Sequence, residues 1–168
     1  MTITALIVAT GRGTRAGGAL PKQWQPLGAA RVIDHTIAAF DRHPKIDQIA
    51  VVLHPDDLDL AQTFDVAGLI VAVGGADRAT SVRNGLAMLP EAGQVLIHDA
   101  ARPCVPAQVI DDVLAALSDT RAAAPGLAVT DALWRGSEGH VTGPQDRSGL
   151  FAAQTPQGFD LAVIKQAH

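Results

Sequence analysis

A chain of 168 residues that is 48% hydrophobic suits one compact domain with a sizeable core, and is short for two. Its net charge of -4 argues against a surface that wraps a polyanion, so no nucleic-acid partner is expected. No apolar run approaches the roughly 20 residues that cross a bilayer, and the first residues lack the charged-then-apolar order of a secretory signal, so a cytoplasmic protein without a membrane partner is expected.

In chain order, Ile3 to Val8 is apolar and rich in β-branched residues, and predicts a buried strand. It breaks into Ala9-Thr10-Gly11-Arg12-Gly13-Thr14-Arg15, and the irregular stretch continues to Pro21-Lys22-Gln23. Gly11 and Gly13 remove side chains where backbone N–H groups can close around an anion, and Arg15 and Lys22 add positive charge beside it. A polyphosphate is the natural guest of such a loop. Two glycines alone would favour a plain strand-to-helix turn; the flanking Arg15 and Lys22 reverse that preference toward the anion site. Gly11-x-Gly13-x-x-Ala16 also satisfies the dinucleotide fingerprint formally, but the loop runs on through Gly17-Gly18 to Pro21, and the next strand ends in His54-Pro55, not in a plain carboxylate. No G-x-x-x-x-G-K-[ST] string is present.

Val32-Ile33, Ile37 and Phe40 then fall at helical spacing, with Pro44 beyond the helix end. Ile49 to Leu53 predicts a second strand, Asp56 to Phe64 a short helix with early carboxylates, and Leu69 to Val73 a third strand ending in Gly74-Gly75. A helix from about Arg78 carries Val82, Leu86 and Leu89 on one face. Val95 to His98 predicts a fourth strand that runs into Asp99-Ala100-Ala101-Arg102-Pro103, and Val109, Val113 and Leu117 mark a further helix. This alternation implies a single Rossmann-like α/β domain over residues 1–168: a mostly parallel twisted sheet with helices on both faces and right-handed crossovers. Ligands of such sheets bind outside the carboxyl ends of the strands, so the glycine loop, Gly74-Gly75 and Asp99 to Arg102 are expected to converge on one crevice. Beyond Ala128 the pattern changes. Val129 to Arg135 and His140-Val141 flank Gly136 to Gly139, which predicts an extended β-arm over about residues 129–145 with too little core to stand alone, suited to packing on another subunit.

Single residues admit plainer readings. His98 at a strand end reads as a buried, hydrogen-bonded structural histidine and stays outside the catalytic set. His35, His43 and His54 read as solvated. Asp99 could serve as a helix or turn cap, but its place at the sheet's carboxyl edge favours a ligand role; Arg102 could be a surface charge, and Arg147, between Asp146 and Ser148, a loop ion pair. Cys104 is the chain's lone cysteine and reads as a small packing residue, and no Cys/His spacing resembles a zinc site.

Taken together and in this order, Ala9 to Arg15, Pro21-Lys22-Gln23, Gly74-Gly75 with Arg78 and Ser81-Val82, His98-Asp99-Ala100-Ala101-Arg102-Pro103 and Thr155-Pro156-Gln157 resemble the 2-C-methyl-D-erythritol 4-phosphate cytidylyltransferases of the non-mevalonate isoprenoid pathway. The glycine loop alone would place the chain only among nucleotidyltransferases. The resemblance implies that Ala9, Thr10, Gly11, Gly13 and Ser81 hold CTP, with Gly75 close to the cytosine, and that Arg15 and Lys22 stabilise the transition state. Asp99, Ala100 and Arg102 would lie between the ribose and the sugar-alcohol phosphate, and Arg147 and Thr155 would hold that substrate's phosphate, Arg147 reaching across a homodimer. Mg2+ or another divalent cation would ride on the triphosphate, with Asp99 the side chain near it.

Three departures from the family pattern stand out. Thr10 replaces a usual Ala, Asp131-Ala132 replaces Asp-Thr, and the chain stops at His168 inside an expected helix, so that the C-terminal part of the family domain, with a substrate-contacting lysine, would be absent. Trp134-Arg135 is closer to forms fused to a cyclodiphosphate synthase domain. A pentitol-phosphate cytidylyltransferase and a nucleotide-binding but inactive shortened domain remain as alternatives.

Overall fold

The computed structural model describes residues 1–13 and 20–168. Its elements in chain order are β1 (Ile3–Ala9), β2 (Pro26–Leu27), β3 (Ala30–Arg31), α1 (Val32–Asp41), β4 (Gln48–Leu53), β5 (Ile70–Val73), α2 (Arg78–Ala87), β6 (Gln94–Asp99), α3 (Ala107–Ala116), β7 (Ala122–Ala123), β8 (Gly126–Ala128), β9 (Leu133–Ser137), β10 (His140–Gln145), β11 (Phe151–Ala153), β12 (Gln157–Asp160) and α4 (Leu161–Ala167). Short 3-10 turns occupy Lys22–Trp24 and Pro55–Thr63.

Among the described residues the main sheet has six strands in the order β5-β4-β1-β6-β12-β7. The four from β5 to β6 run parallel, and β12 is antiparallel to both its neighbours. Alternation along the central strands assigns the two cores. Ala5, Ile7 and Ala9 of β1 face the side covered by Ile33, Ile37 and Phe40 of α1 and Ile110 and Val113 of α3. Leu6 of β1, with Ala50 and Val52 of β4, faces Val82 and Leu86 of α2 and Leu161 and Ile164 of α4. A period of two in the strands meets a helical period on each face, which is the arrangement that α/β alternation demands. At Gly85 the helix α2 comes so close to the sheet that an added Cβ would sit 2.7 Å from Val52 and 2.8 Å from Leu6.

Several elements differ from the expectation. The segment after β4 winds as a 3-10 turn, not as an α-helix: Pro55 opens it, His54 Nδ1 accepts from the Asp56 amide at 3.2 Å, and Asp56 and Asp57 turn back toward the glycine loop instead of lining a helix N-terminus. The four-residue strand β12, which inserts between β6 and β7, has no strong sequence signal because Gly158 interrupts it; that glycine lets Val113, Leu117 and Leu96 close over the strand. The arm is present as a β9-β10 hairpin that begins at Leu133, inside its expected limits, and ends with them at Gln145, with positive φ at both turn residues, Glu138 and Gly139. A second pair, β8 with β11, joins the arm to the body. His43 is buried, not solvated: the backbone amide of Lys45 donates to its Nδ1, and Asp111 lies 3.7 Å from its Nε2.

Candidate functional site at the carboxyl ends of β1, β5 and β6

β1 delivers Ala9 and Thr10 to the sheet edge, and the loop that follows is stapled from below. Gln23, itself buried, donates from Nε2 to the carbonyls of Ala9 at 3.0 Å and Gly11 at 2.9 Å. Gly13 takes φ +66, a left-handed conformation that favours glycine, and a Cβ there would lie 3.7 Å from the Lys22 amide nitrogen. The loop and the exposed Lys22 at the start of its turn are therefore neighbours. Arg15, the second expected cation, lies outside the described residues.

Beyond β5, Gly74 donates its N–H to Leu53 O at 2.7 Å and abuts Thr10; a Cβ on Gly74 would sit 2.2 Å from Thr10 Cγ2. The Gly75 amide donates to Ser81 Oγ at 3.0 Å, and that hydroxyl donates to Asp77 O at 2.7 Å. Ser81 is fully buried, so its hydroxyl shapes the Gly75 turn. Asp77 caps α2 by accepting from the Thr80 amide, which with the neighbouring hydrogen bonds holds its carboxyl below the usual carboxylate range.

At the end of β6 the Asp99 carboxylate is clasped from two sides: Oδ1 by Arg78 Nη2 at 3.2 Å and Oδ2 by Arg102 Nε at 3.1 Å. Arg102 also donates to Gln154 Oε1 at 2.6 Å. These groups are partly solvated, so the pairs contribute little stability; their effect is to orient two guanidinium groups over one edge. Ala100 is buried, with its N–H on Val8 O and its carbonyl accepting from Thr36 Oγ1 at 2.8 Å.

His98 is buried and bridges two segments. Nε2 lies 3.0 Å from Arg102 O, and because a carbonyl only accepts, that nitrogen carries the hydrogen. Nδ1 lies 2.9 Å from Thr155 Oγ1. Burial pushes the His98 pKa below its ordinary value, against the opposing pull of the Arg102 carbonyl and of Asp99.

The structure thus gathers Ala9, Thr10, Gly11, Gly13, Lys22, Gly75, Ser81, Asp99, Ala100 and Arg102 at the ends of adjoining strands, with Thr155 tied to that edge through His98. It does not bring Arg147 there within one chain: its guanidinium donates to the Thr130 carbonyl, in the segment that leads into the arm. Gln23, Arg78 and Gln154 also join this edge, in roles that the sequence alone does not assign. The Pro21-Lys22-Gln23 string and the Arg78 position were signals for two of them; Gln154 had none. Among the described residues no group of three or more His, Cys, Asp or Glu side chains can hold a metal ion. With both oxygens of Asp99 engaged by arginines, this edge fits a cation that arrives on a nucleotide better than one held by the protein.

A glycine loop beside a lysine, and a carboxylate between two arginines, at the carboxyl ends of a mostly parallel sheet define an α/β domain built like those of nucleotidyltransferases. The chain belongs to the 2-C-methyl-D-erythritol 4-phosphate cytidylyltransferase family, IspD, whose model matches residues 3–168. It is 58% identical over its whole length to a bifunctional enzyme IspD/IspF of Ruegeria pomeroyi, of which it spans 45%. It is 55% identical to a 2-C-methyl-D-erythritol 4-phosphate cytidylyltransferase of Roseobacter denitrificans, of which it spans 76%. Among solved structures it resembles a 4-diphosphocytidyl-2C-methyl-D-erythritol synthase with a TM-score of 0.83 at 33% identity, covering 99% of this chain and 78% of that one. The Francisella tularensis cytidylyltransferase gives a TM-score of 0.85 at 26% identity, covering 99% and 76%. The chain therefore spans about half the length of the bifunctional relatives it matches and about three quarters of the single-function ones.

Proposed function

We propose that this domain transfers a cytidylyl group from CTP to 2-C-methyl-D-erythritol 4-phosphate, giving 4-diphosphocytidyl-2-C-methyl-D-erythritol and pyrophosphate, in non-mevalonate isoprenoid precursor synthesis. The observation that carries the reading is the Gln23 staple, which sets the glycine loop against the Lys22 turn on the same sheet edge as Asp99. Family membership supports the choice of nucleotide and acceptor.

The acceptor's phosphate monoester is already anionic near pH 7, since its second pKa is about 6, so no general base is required. The protein's task is to bring two anions together, align the attacking oxygen with the departing pyrophosphate and cover the charge that develops at the α-phosphorus. Backbone groups of Ala9, Thr10, Gly11 and Gly13 face the triphosphate. Gly75, whose amide Ser81 fixes, leaves room for the base, and Lys22 and Arg15 meet the phosphate oxygens. A compact ammonium suits a bridging oxygen and a planar fork suits non-bridging ones. Asp99 and Ala100 bound the ribose. Arg102 and Thr155, locked to each other through His98, face the acceptor, and Arg147 reaches the acceptor phosphate of a second subunit. A divalent cation, Mg2+ first, bound to the triphosphate adds charge neutralisation.

The homodimer is supported by the arm and its base, where Leu127, Trp134, Val141 and Phe151 are all more than half exposed. No helix among the described residues is long and apolar enough to cross a membrane, and a cytoplasmic location fits the substrates. Pyrophosphate release measured with each of the four ribonucleotides, against methylerythritol phosphate and ribitol phosphate, tests the reading. Turnover is expected with CTP and methylerythritol phosphate; turnover with ribitol phosphate alone, or with none of the pairs, overturns it.

A further inference from the structure

Arg12 is a cation between the two loop glycines, where a free guanidinium would be expected to meet phosphate. It is committed elsewhere. Nη1 lies 3.1 and 3.2 Å from the two oxygens of Asp57, Nη2 lies 2.7 Å from Asp56 Oδ2, and the same nitrogen touches His54 Nδ1. Two carboxylates from the turn that follows β4 thus balance the Arg12 charge.

Asp57 is the more telling partner because it is buried and has a second donor: Trp24 Nε1, at 2.9 Å from Oδ2. Trp24 closes the turn that Lys22 opens, and its indole is held in the core, with Phe64 stacked at 6.2 Å and the Arg31 guanidinium 5.4 Å from its ring. A buried carboxylate that accepts from a guanidinium and an indole has fixed geometry, since losing either partner leaves charge or an acceptor unmatched. The connections close a ring from Gly13 through Arg12, Asp57 and Trp24 to Lys22, whose backbone lies beside Gly13 again. Gln23 braces it from inside.

We infer that Asp57, through Arg12 and Trp24, is a positioning residue that fixes the Lys22 turn against the glycine loop for the transfer step. This rests on the proposed role of Lys22 at the reacting phosphates. Placement of a charge acts on the transition state more than on ground-state binding, so the signature is a fall in kcat with little change in KM.

The test is a double-mutant cycle of Lys22→Ala and Asp57→Asn on the whole protein, with kcat per folded site and KM for CTP measured at each corner. Asp57→Asn alone is expected to lower kcat about tenfold or more with KM within about threefold, and to cost no more than about twofold when Lys22→Ala is already present. Should Asp57→Asn fail to fold, Trp24→Phe, which removes the indole donor together with part of the buried ring, takes its place with the same expectation. Independent, multiplying losses, or an unchanged kcat in the single variant, overturn the inference while leaving the transferase reading intact. An unchanged kcat in Lys22→Ala instead removes the role of Lys22, and the inference with it.

Discussion

His98 and Thr155 are joined by a 2.9 Å contact between Nδ1 and Oγ1, and because the other ring nitrogen donates to the Arg102 carbonyl, a neutral His98 must accept the Thr155 hydroxyl hydrogen. Burial favours this neutral form. Below about pH 6.5 an unfolded chain binds the proton that folded His98 resists, so stability is present above that pH and is lost as pH falls through it. Asp99 and Arg102 are the charged groups that act on the ring, one raising and one lowering its affinity for the proton. A thermal-melting series from pH 8 to 5 is expected to show Tm falling toward the acid end, with a shallower fall in His98→Asn. Asp77, whose carboxyl is held low, acts only in the more acidic range where carboxylates titrate.

Thr155→Val keeps the shape and removes the hydroxyl, leaving Nδ1 of a buried ring unpaired. A loss of about 1–3 kcal/mol is expected from the unmet acceptor, readable by denaturant unfolding. Thr155→Ser, which restores the donor, should recover most of it.

Gly74 and Thr10 occupy one space. Gly74→Ala would bring a Cβ to 2.2 Å from Thr10 Cγ2 and 3.1 Å from Leu53 O, so a cost of about 1–3 kcal/mol is expected from overpacking. Thr10→Ala removes the colliding methyl and should relieve part of that cost, leaving the 3.1 Å contacts with Leu53 O and with the Cβ of residue 10. Unfolding free energies of the two single variants and the double would show the coupling.

The strand-helix alternation, both core faces and the convergence of three strand ends were readable because apolar periodicity and the Gly and Asp punctuation speak locally. Val82, Leu86 and Leu89 share one buried face, as their spacing predicts. What was hidden depends on partners distant in sequence. Asp57 looked like a helix-start carboxylate until Arg12 and Trp24 met it from 45 and 33 residues away. His43 looked solvated because burial by the chain's tertiary packing leaves no mark on its own neighbours. β12 was invisible for a different reason: a short strand with a central glycine has neither length nor alternation to announce it.

Lys22→Ala is expected to reduce kcat by roughly 10² or more if the ammonium acts on developing charge. Steady-state kinetics with both substrates varied would separate this from a rise in KM alone, which would make Lys22 a binding group only.

The exposed apolar side chains at the arm and its base predict self-association. Phe151→Asp is expected to shift the protein toward monomer in sedimentation velocity, and to weaken catalysis along with it if Arg147 acts across the interface.

The central claim is that the loop after β1 and the ends of β5 and β6 form one nucleotide cradle. Titration of the isotope-labelled protein with CTP, followed by amide chemical shifts, reads it most directly. Saturable shifts are expected together at Gly11, Gly13, Lys22, Gly75 and Ala100. Shifts that leave these amides in place and gather instead at the end of α1, at Ala38 and at Arg42 just beyond it, would contradict it.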